Sequence, residues 1–208
     1  MSLPLRQRQQ ALGRDAILNA ASALFIEQGY RKTTMQAIAD RAGVGVATVF
    51  RHFKNKAGIL AAISQRDMER VLASCQKILK SQPADPVQGT LEILHAFLQI
   101  LDMPDSGFRW QSDLWVPVQT GHPEADAVVS WADREVQVML KRLLQPFKRR
   151  GVFDKTVDLD DMVAIIFSVF NQHFLTFATT PTVTKEKMIS DIERRIPLLF
   201  KAWLKVGA

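Results

Sequence analysis

The chain of 208 residues has one cysteine, Cys75, and one tyrosine, Tyr30. A single thiol excludes a disulfide within the chain and any zinc site built on several cysteines. Cys75 lies on an apolar helical stripe and is expected to be a buried thiol. No glycine-rich phosphate loop and no nucleophile elbow occurs. His95, His122 and His173 lack a second His, Cys or carboxylate at ligand spacing. No enzyme, metal or cofactor is therefore expected. The N-terminus is polar and basic with no apolar core, so no signal peptide is expected. The longest apolar stretch, Met162 to Phe177, is broken by Ser168, Asn171, Gln172, His173 and Thr176. It falls short of the ~18 uninterrupted apolar residues of a membrane span, and the expectation is a cytoplasmic protein. Strand-like alternation and internal repeats are also missing.

Acid is scarce at one end only. Residues 1–56 hold nine Lys/Arg against Asp15, Glu27 and Asp40, while the remainder balances eighteen against eighteen. The whole formal charge of +6 thus sits on the first quarter of the chain. A local basic patch on a neutral body suits a phosphate-backbone binder, although a solvated face would look the same.

Helical periodicity predicts an all-α chain of about nine helices. Residues 1–12 read as a flexible basic arm. Helices are expected at about 14–28, 34–42 and 46–53, then a long one from Asn55 to about Lys80. Thr33 and Gln36 fit a capping box before the second helix. Ser81 to Pro86 reads as a linker, with Asp85 and Pro86 as cap and first-turn proline. Further helices are expected at about 87–102, around Trp110, Leu114 and Val118, from Pro123 to about Arg150, at 159–178 behind Asp158, and at 184–206. Pro146 should kink or end its helix and Pro197 should bend the last one. Two domains are expected, 1–56 and 57–208.

Residues 33–56 carry the functional signal. Ala39, Gly43 and Val49 hold the spacing of a helix-turn-helix: a small residue for close approach, glycine in the turn, and a branched residue packing the second helix back. Such a unit presents a short helix to a DNA major groove. Val46, Ala47 and Thr48 would stand nearest the bases, where the first two offer only apolar contact and Thr48 a hydroxyl. Gln36 could pair with adenine or serve its helix cap. Arg51 could reach guanine or a phosphate. Thr34, His52 and Lys56 suit phosphates, with a core histidine as the alternative for His52. Phe50 offers packing and sugar contacts.

The run Gly29, Thr33-Thr34, Ile38-Ala39, Ala42-Gly43-Val44, Thr48-Val49-Phe50, His52-Phe53, Asn55-Lys56 and Leu60 resembles the tetracycline-repressor-type (TetR) regulators of bacteria over about a quarter of the chain. Gly45, Ala47 and Phe50 depart from the Ser, Gly and Tyr common there. Ala57-Gly58 also replaces the usual acidic residue after the lysine. The resemblance implies a homodimeric repressor that binds an inverted-repeat operator, its half-sites roughly 34–36 Å apart. It implies DNA binding for residues 1–56 and ligand binding and dimerisation for 57–208. It further implies release by a small, largely apolar effector and a dimer formed by the helices at 159–178 and 184–206. Phe97, Trp110, Trp115, Met139, Phe167, Phe170, Asn171 and Phe174 are the candidate effector-binding residues, although for any one of them taken singly ordinary core is the better reading. A non-enzymatic carrier of an apolar small molecule would explain the aromatics but not the basic helix-turn-helix. A ligand-dependent activator remains the other alternative.

Overall fold

The computed structural model describes residues 5–102 and 123–205. Among them are eight α-helices: α1 (Leu5–Gln28), α2 (Met35–Ala42), α3 (Val46–His52), α4 (Lys56–Ser81), α5 (Pro86–Leu98), α6 (Pro123–Arg149), α7 (Leu159–Thr179) and α8 (Lys185–Trp203). A 3-10 turn, Gln99–Asp102, follows α5. No strand occurs among the described residues beyond a single antiparallel bridge between Phe153 and Leu204. The all-helical expectation holds, while the short helix expected around Trp110, Leu114 and Val118 lies outside the described residues.

Local chemistry sets most of the helix ends. Asp85 accepts from the N–H of Val87, with Pro86 opening α5. Asp158 accepts from the N–H groups of Asp160 and Asp161, and Thr184 from that of Lys187. Each satisfies donors that the first helical turn leaves without a partner. Two expectations need correction. Residues 5–12 are not a loose arm but the first turns of α1. The run Leu-Arg-Gln-Arg-Gln-Gln-Ala-Leu consists of good helix formers, and one half-buried glycine, Gly13, does not interrupt the helix. Pro146 does not end α6 either: the helix runs on to Arg149, and the N–H of Arg150 donates to the Pro146 carbonyl at 3.1 Å.

The chain divides into two compact units, with boundaries inside α4 after Asp67, in the 3-10 turn after Ile100 and inside α6 after Val129. The first unit closes on Ile17, Leu18, Leu24, Phe25, Ile38 and Val49. Ile59, Leu60 and Ile63 from the first turns of α4 complete the same core. The second unit buries one stripe of α6, including Val136, Met139, Leu143 and Phe147, with Ile93 and Leu94 of α5 and Ile192, Ile196 and Phe200 of α8. Phe153 stacks between Phe147 and Phe200 at centroid separations of 6.5 and 6.2 Å. Two backbone hydrogen bonds, Asp154 N–H to Trp203 O at 2.9 Å and Lys205 N–H to Val152 O at 3.2 Å, hold the loop after α6 against the end of α8.

By length and composition α7 is the one helix among the described residues that could also cross a membrane. This is a looser criterion than an uninterrupted apolar run, because mean hydropathy tolerates the scattered polar residues that interrupt it. In the fold it packs on α8 and buries Leu159, Met162, Val163, Ile166, Phe170 and Phe177.

Candidate nucleic-acid interface

The turn between α2 and α3 is built on Gly43, whose φ of 66° lies in the left-handed region. Its N–H donates to the Asp40 carbonyl at 3.2 Å, and that of Val44 to the Ala39 carbonyl at 3.1 Å. This pair of bonds is the Schellman closure of a helix end, and it re-aims the chain within two residues. Gly45 then stands at the N-cap of α3 with no side-chain cap. Ala39 and Val49 are both fully buried, as the spacing requires. The anchor of α2 sits one residue later than the sequence suggested. Thr34, not Thr33, caps the helix, its Oγ1 accepting from the Ala37 N–H at 3.1 Å. Thr33 is buried and donates its hydroxyl to the Gly29 carbonyl at 2.9 Å.

Gln36 is therefore no capping partner. It is exposed, and its amide donates to Asp40 one turn on at 2.8 Å. That bond must open before both ends of the amide can address a base. Thr34 is exposed and, as an acceptor in its cap, keeps its hydroxyl proton for a donor role.

α3 has two sides. Val46, Val49 and Phe53 face the core, with Val46 only partly covered. Ala47, Phe50 and Arg51 form the opposite ridge at i, i+3 and i+4; all three are exposed, Phe50 by 51%. Phe50 therefore leaves half of its surface available to a contact outside the chain. Thr48 and His52, one turn apart, flank the ridge half-buried. Lys54 continues the ridge beyond the helix end and is exposed. The sequence reading passed over it, although its spacing of seven from Ala47 was available. Arg14 of α1 also joins this neighbourhood, its guanidinium 5.3 Å from the centroid of the Phe53 ring.

Lys56 departs from its expected phosphate role. Its ammonium points inward and donates to the carbonyls of Tyr30, of Thr33 at 2.8 Å and of Arg31 at 3.3 Å. It also lies 4.3 Å from the centroid of the Tyr30 ring. Burial lowers its pKa. All three ammonium donors have backbone partners, so the lysine fastens the α1–α2 turn to the start of α4. The bidentate pair of Arg41 with Glu27, at 2.5 and 2.7 Å, is a second clamp, joining α2 to α1.

The candidate effector residues separate into two groups. Phe97, Met139 and Phe170 are buried, whereas Phe167, Asn171 and Phe174 are half-buried on α7. Phe170 and Phe174 stack at 6.3 Å. Trp110 and Trp115 lie outside the described residues. A cavity of about 610 Å³ opens elsewhere in the second unit, and none of the eight candidates lines it. Its walls come from the end of α4, the following elbow and the last turns of α6. Sequence reading weighted aromatic content, and this cavity is lined mainly by proline, leucine and arginine.

A buried three-helix core, a glycine turn and an outward ridge on the following short helix define a helix-turn-helix unit, the kind that presents a helix to a DNA major groove. Residues 17–63 match the family described as bacterial regulatory proteins, tetR family. The match covers the helix-turn-helix region, about a quarter of the chain. It is 30% identical over 96 residues to the HTH-type transcriptional activator FasR of Mycolicibacterium smegmatis, an alignment covering 46% of this chain and 43% of that protein. It is 27% identical over 159 residues to the HTH-type transcriptional repressor KstR2 of the same species, covering 73% of each. The chain thus spans under half the length of the first of these relatives. Among solved structures, Thermus thermophilus FadR in complex with lauroyl-CoA superposes with a TM-score of 0.66 at 20% identity, covering 94% of this chain and 97% of that one. At that identity the likeness concerns the fold.

Proposed function

We propose that this protein is a DNA-binding transcriptional regulator, a homodimeric repressor that leaves its operator when a small, largely apolar effector binds. Residues 1–56 hold the DNA contacts and 57–208 the effector and dimer functions. The observation that carries the reading is the exposed ridge of Ala47, Phe50 and Arg51, continued by Lys54, on a helix held from behind by Val49 and Phe53. Ala47 and Thr48 meet the bases, with the uncovered part of Val46 at the helix start beside them; the apolar head reads thymine methyls and Thr48 adds one hydrogen bond. Arg51 and Gln36 supply further base or phosphate contacts. Thr34, His52 and Lys54 hold the backbone, and Phe50 packs on the sugars.

Dimerisation through α7 and α8 is supported by apolar side chains that a single chain leaves in water. Ile165 is 43% and Leu198 53% exposed. Phe97, Met139, Phe167, Phe170, Asn171 and Phe174 are the proposed effector contacts. Release from DNA requires the effector to favour one dimer geometry over the other, since only differential affinity shifts an equilibrium. The protein acts in the cytoplasm, where its DNA is.

The test is fluorescence anisotropy on DNA from upstream of the protein's own gene, over a series of salt concentrations, with Thr48→Ala and Arg51→Ala beside the wild type. Sequence-selective binding whose preference changes in Thr48→Ala is the expected result. Equal affinity for random DNA in all three proteins would overturn the regulator reading and leave a carrier of apolar molecules.

A further inference from the structure

The cavity in the second unit belongs to none of the roles assigned so far. Its floor is apolar: Leu79 at the end of α4, Pro83 in the elbow, and Leu143, Pro146 and Phe147 of α6. Its rim is cationic. Arg142, Arg149 and Arg150 all line it, and none of the lining residues is acidic. Spacings of four and seven from Arg142 place Pro146 and Arg149 on the same face of α6, and Arg150 follows in the turn after the helix. Cations at a helix C-terminus are favoured by its dipole, which accounts for Arg149 and Arg150 taken alone. It does not account for Arg142, two turns earlier on the same face. All three guanidiniums are exposed, and none is held in an ion pair among the described residues. Arg150 lies 4.5 Å from the Phe147 ring centroid, so one guanidinium plane is already set against the apolar floor.

The floor has a specific support. Gly89 of α5 is buried, and a Cβ there would lie 3.0 Å from both Leu143 Cδ1 and Pro83 Cβ. A side chain there would push Pro83 and Leu143, both part of the groove lining, back by a few tenths of an ångström.

We infer that this groove binds a small amphipathic anion, with an apolar body on Leu79, Pro83, Leu143 and Phe147 and a carboxylate or phosphate between Arg142 and Arg149. The volume of about 610 Å³ matches small-molecule sites, which run from roughly 300 to 1,000 Å³. Planar guanidiniums hold carboxylate and phosphate by paired hydrogen bonds, and an unbalanced cluster of three concentrates anions at the mouth. The site stands apart from the aromatic set proposed for the effector and does not depend on the regulator reading.

Calorimetric titration of the full chain tests the inference with three probes: 2-naphthoate (body and charge), 2-naphthylmethanol (body alone) and inorganic phosphate (charge alone). The expected result is saturable binding of 2-naphthoate, with the alcohol and phosphate each about tenfold or more weaker. The double variant Arg142→Gln/Arg149→Gln, altered only at exposed positions, should bind 2-naphthoate about tenfold more weakly and the alcohol as before. Gly89→Ala should weaken both organic probes. Equal binding of 2-naphthoate by wild type and the double variant overturns the inference, as does the absence of saturable binding at millimolar probe. Binding lost in Phe170→Ala but kept in the double variant also overturns it, and leaves the aromatic effector site standing.

Discussion

Replacing Lys56 by methionine separates two roles that the sequence alone could not. Methionine keeps most of the stem and removes the ammonium. Its donors reach the carbonyls of Tyr30, Thr33 and Arg31, and its charge lies over the Tyr30 ring. A hydrogen bond from a charged donor is worth about 1.5–3 kcal/mol when well buried. The turn is partly exposed, so water replaces some of what is lost, and about 1 kcal/mol for each of the two shorter bonds is the appropriate scale. The ring contact adds about 0.5–1 kcal/mol. Burial, which lowers the lysine pKa, offsets part of the gain. Lys56→Met should therefore cost about 2–3 kcal/mol, a fall of roughly 4–12 °C in Tm for a chain of this size. Circular dichroism at 222 nm reads the Tm. Salt-dependent DNA binding by the same variant should keep the wild-type slope. Lys54→Met should do the opposite, leaving Tm unchanged and flattening the slope of log affinity against log salt by about 0.9. An unchanged Tm for Lys56→Met together with a slope flattened by about 0.9 would refute the reasoning and return Lys56 to the phosphates.

Gly43→Ala meets no atom within 4 Å, so its cost is that of a left-handed backbone alone, about 1–2 kcal/mol by urea unfolding; no loss would mean that the turn relaxes. Asp191, bonded to Lys187 at 2.9 Å and Arg194 at 3.0 Å, has its pKa lowered to about 2. A depressed carboxyl pKa stabilises the fold above the ordinary value and loses that contribution as pH falls. The Tm difference between wild type and Asp191→Asn should thus be constant above about pH 4 and vanish towards pH 2; a constant difference throughout would exclude the linkage. Burial pushes the Cys75 thiol up to about 12, so it should resist a disulfide reagent at pH 8 until denaturant is added. Rapid labelling in the native protein would show that α4 opens locally. Leu198→Glu should sediment as a monomer where the wild type sediments as a dimer, and an unchanged dimer would move the interface off α8.

What the sequence made legible was local. Gly43 announces its turn because few other residues tolerate the required φ, and Asp85, Asp158 and Thr184 announce helix starts because a cap bonds within three residues of itself. The same locality explains the slip from Thr34 to Thr33: adjacent threonines offer the same hydroxyl, and only the fold buries one of them. Lys56 was misread because its partners lie 23–26 residues away and are backbone atoms with no residue-type signature. The arginine-rimmed groove was invisible for a related reason. Its charges come from one helix but its floor from three segments, and the glycine that supports it lies on a fourth.

The N-terminal core ends partway along a helix, since Ile59, Leu60 and Ile63 complete it while α4 continues to Ser81. Anyone grafting this reading head onto another protein must therefore splice within a continuous helix. A fragment cut at residue 56 would lack three of its buried side chains. A junction after Asp67 would keep them, but each residue added or removed there turns everything downstream by about 100°.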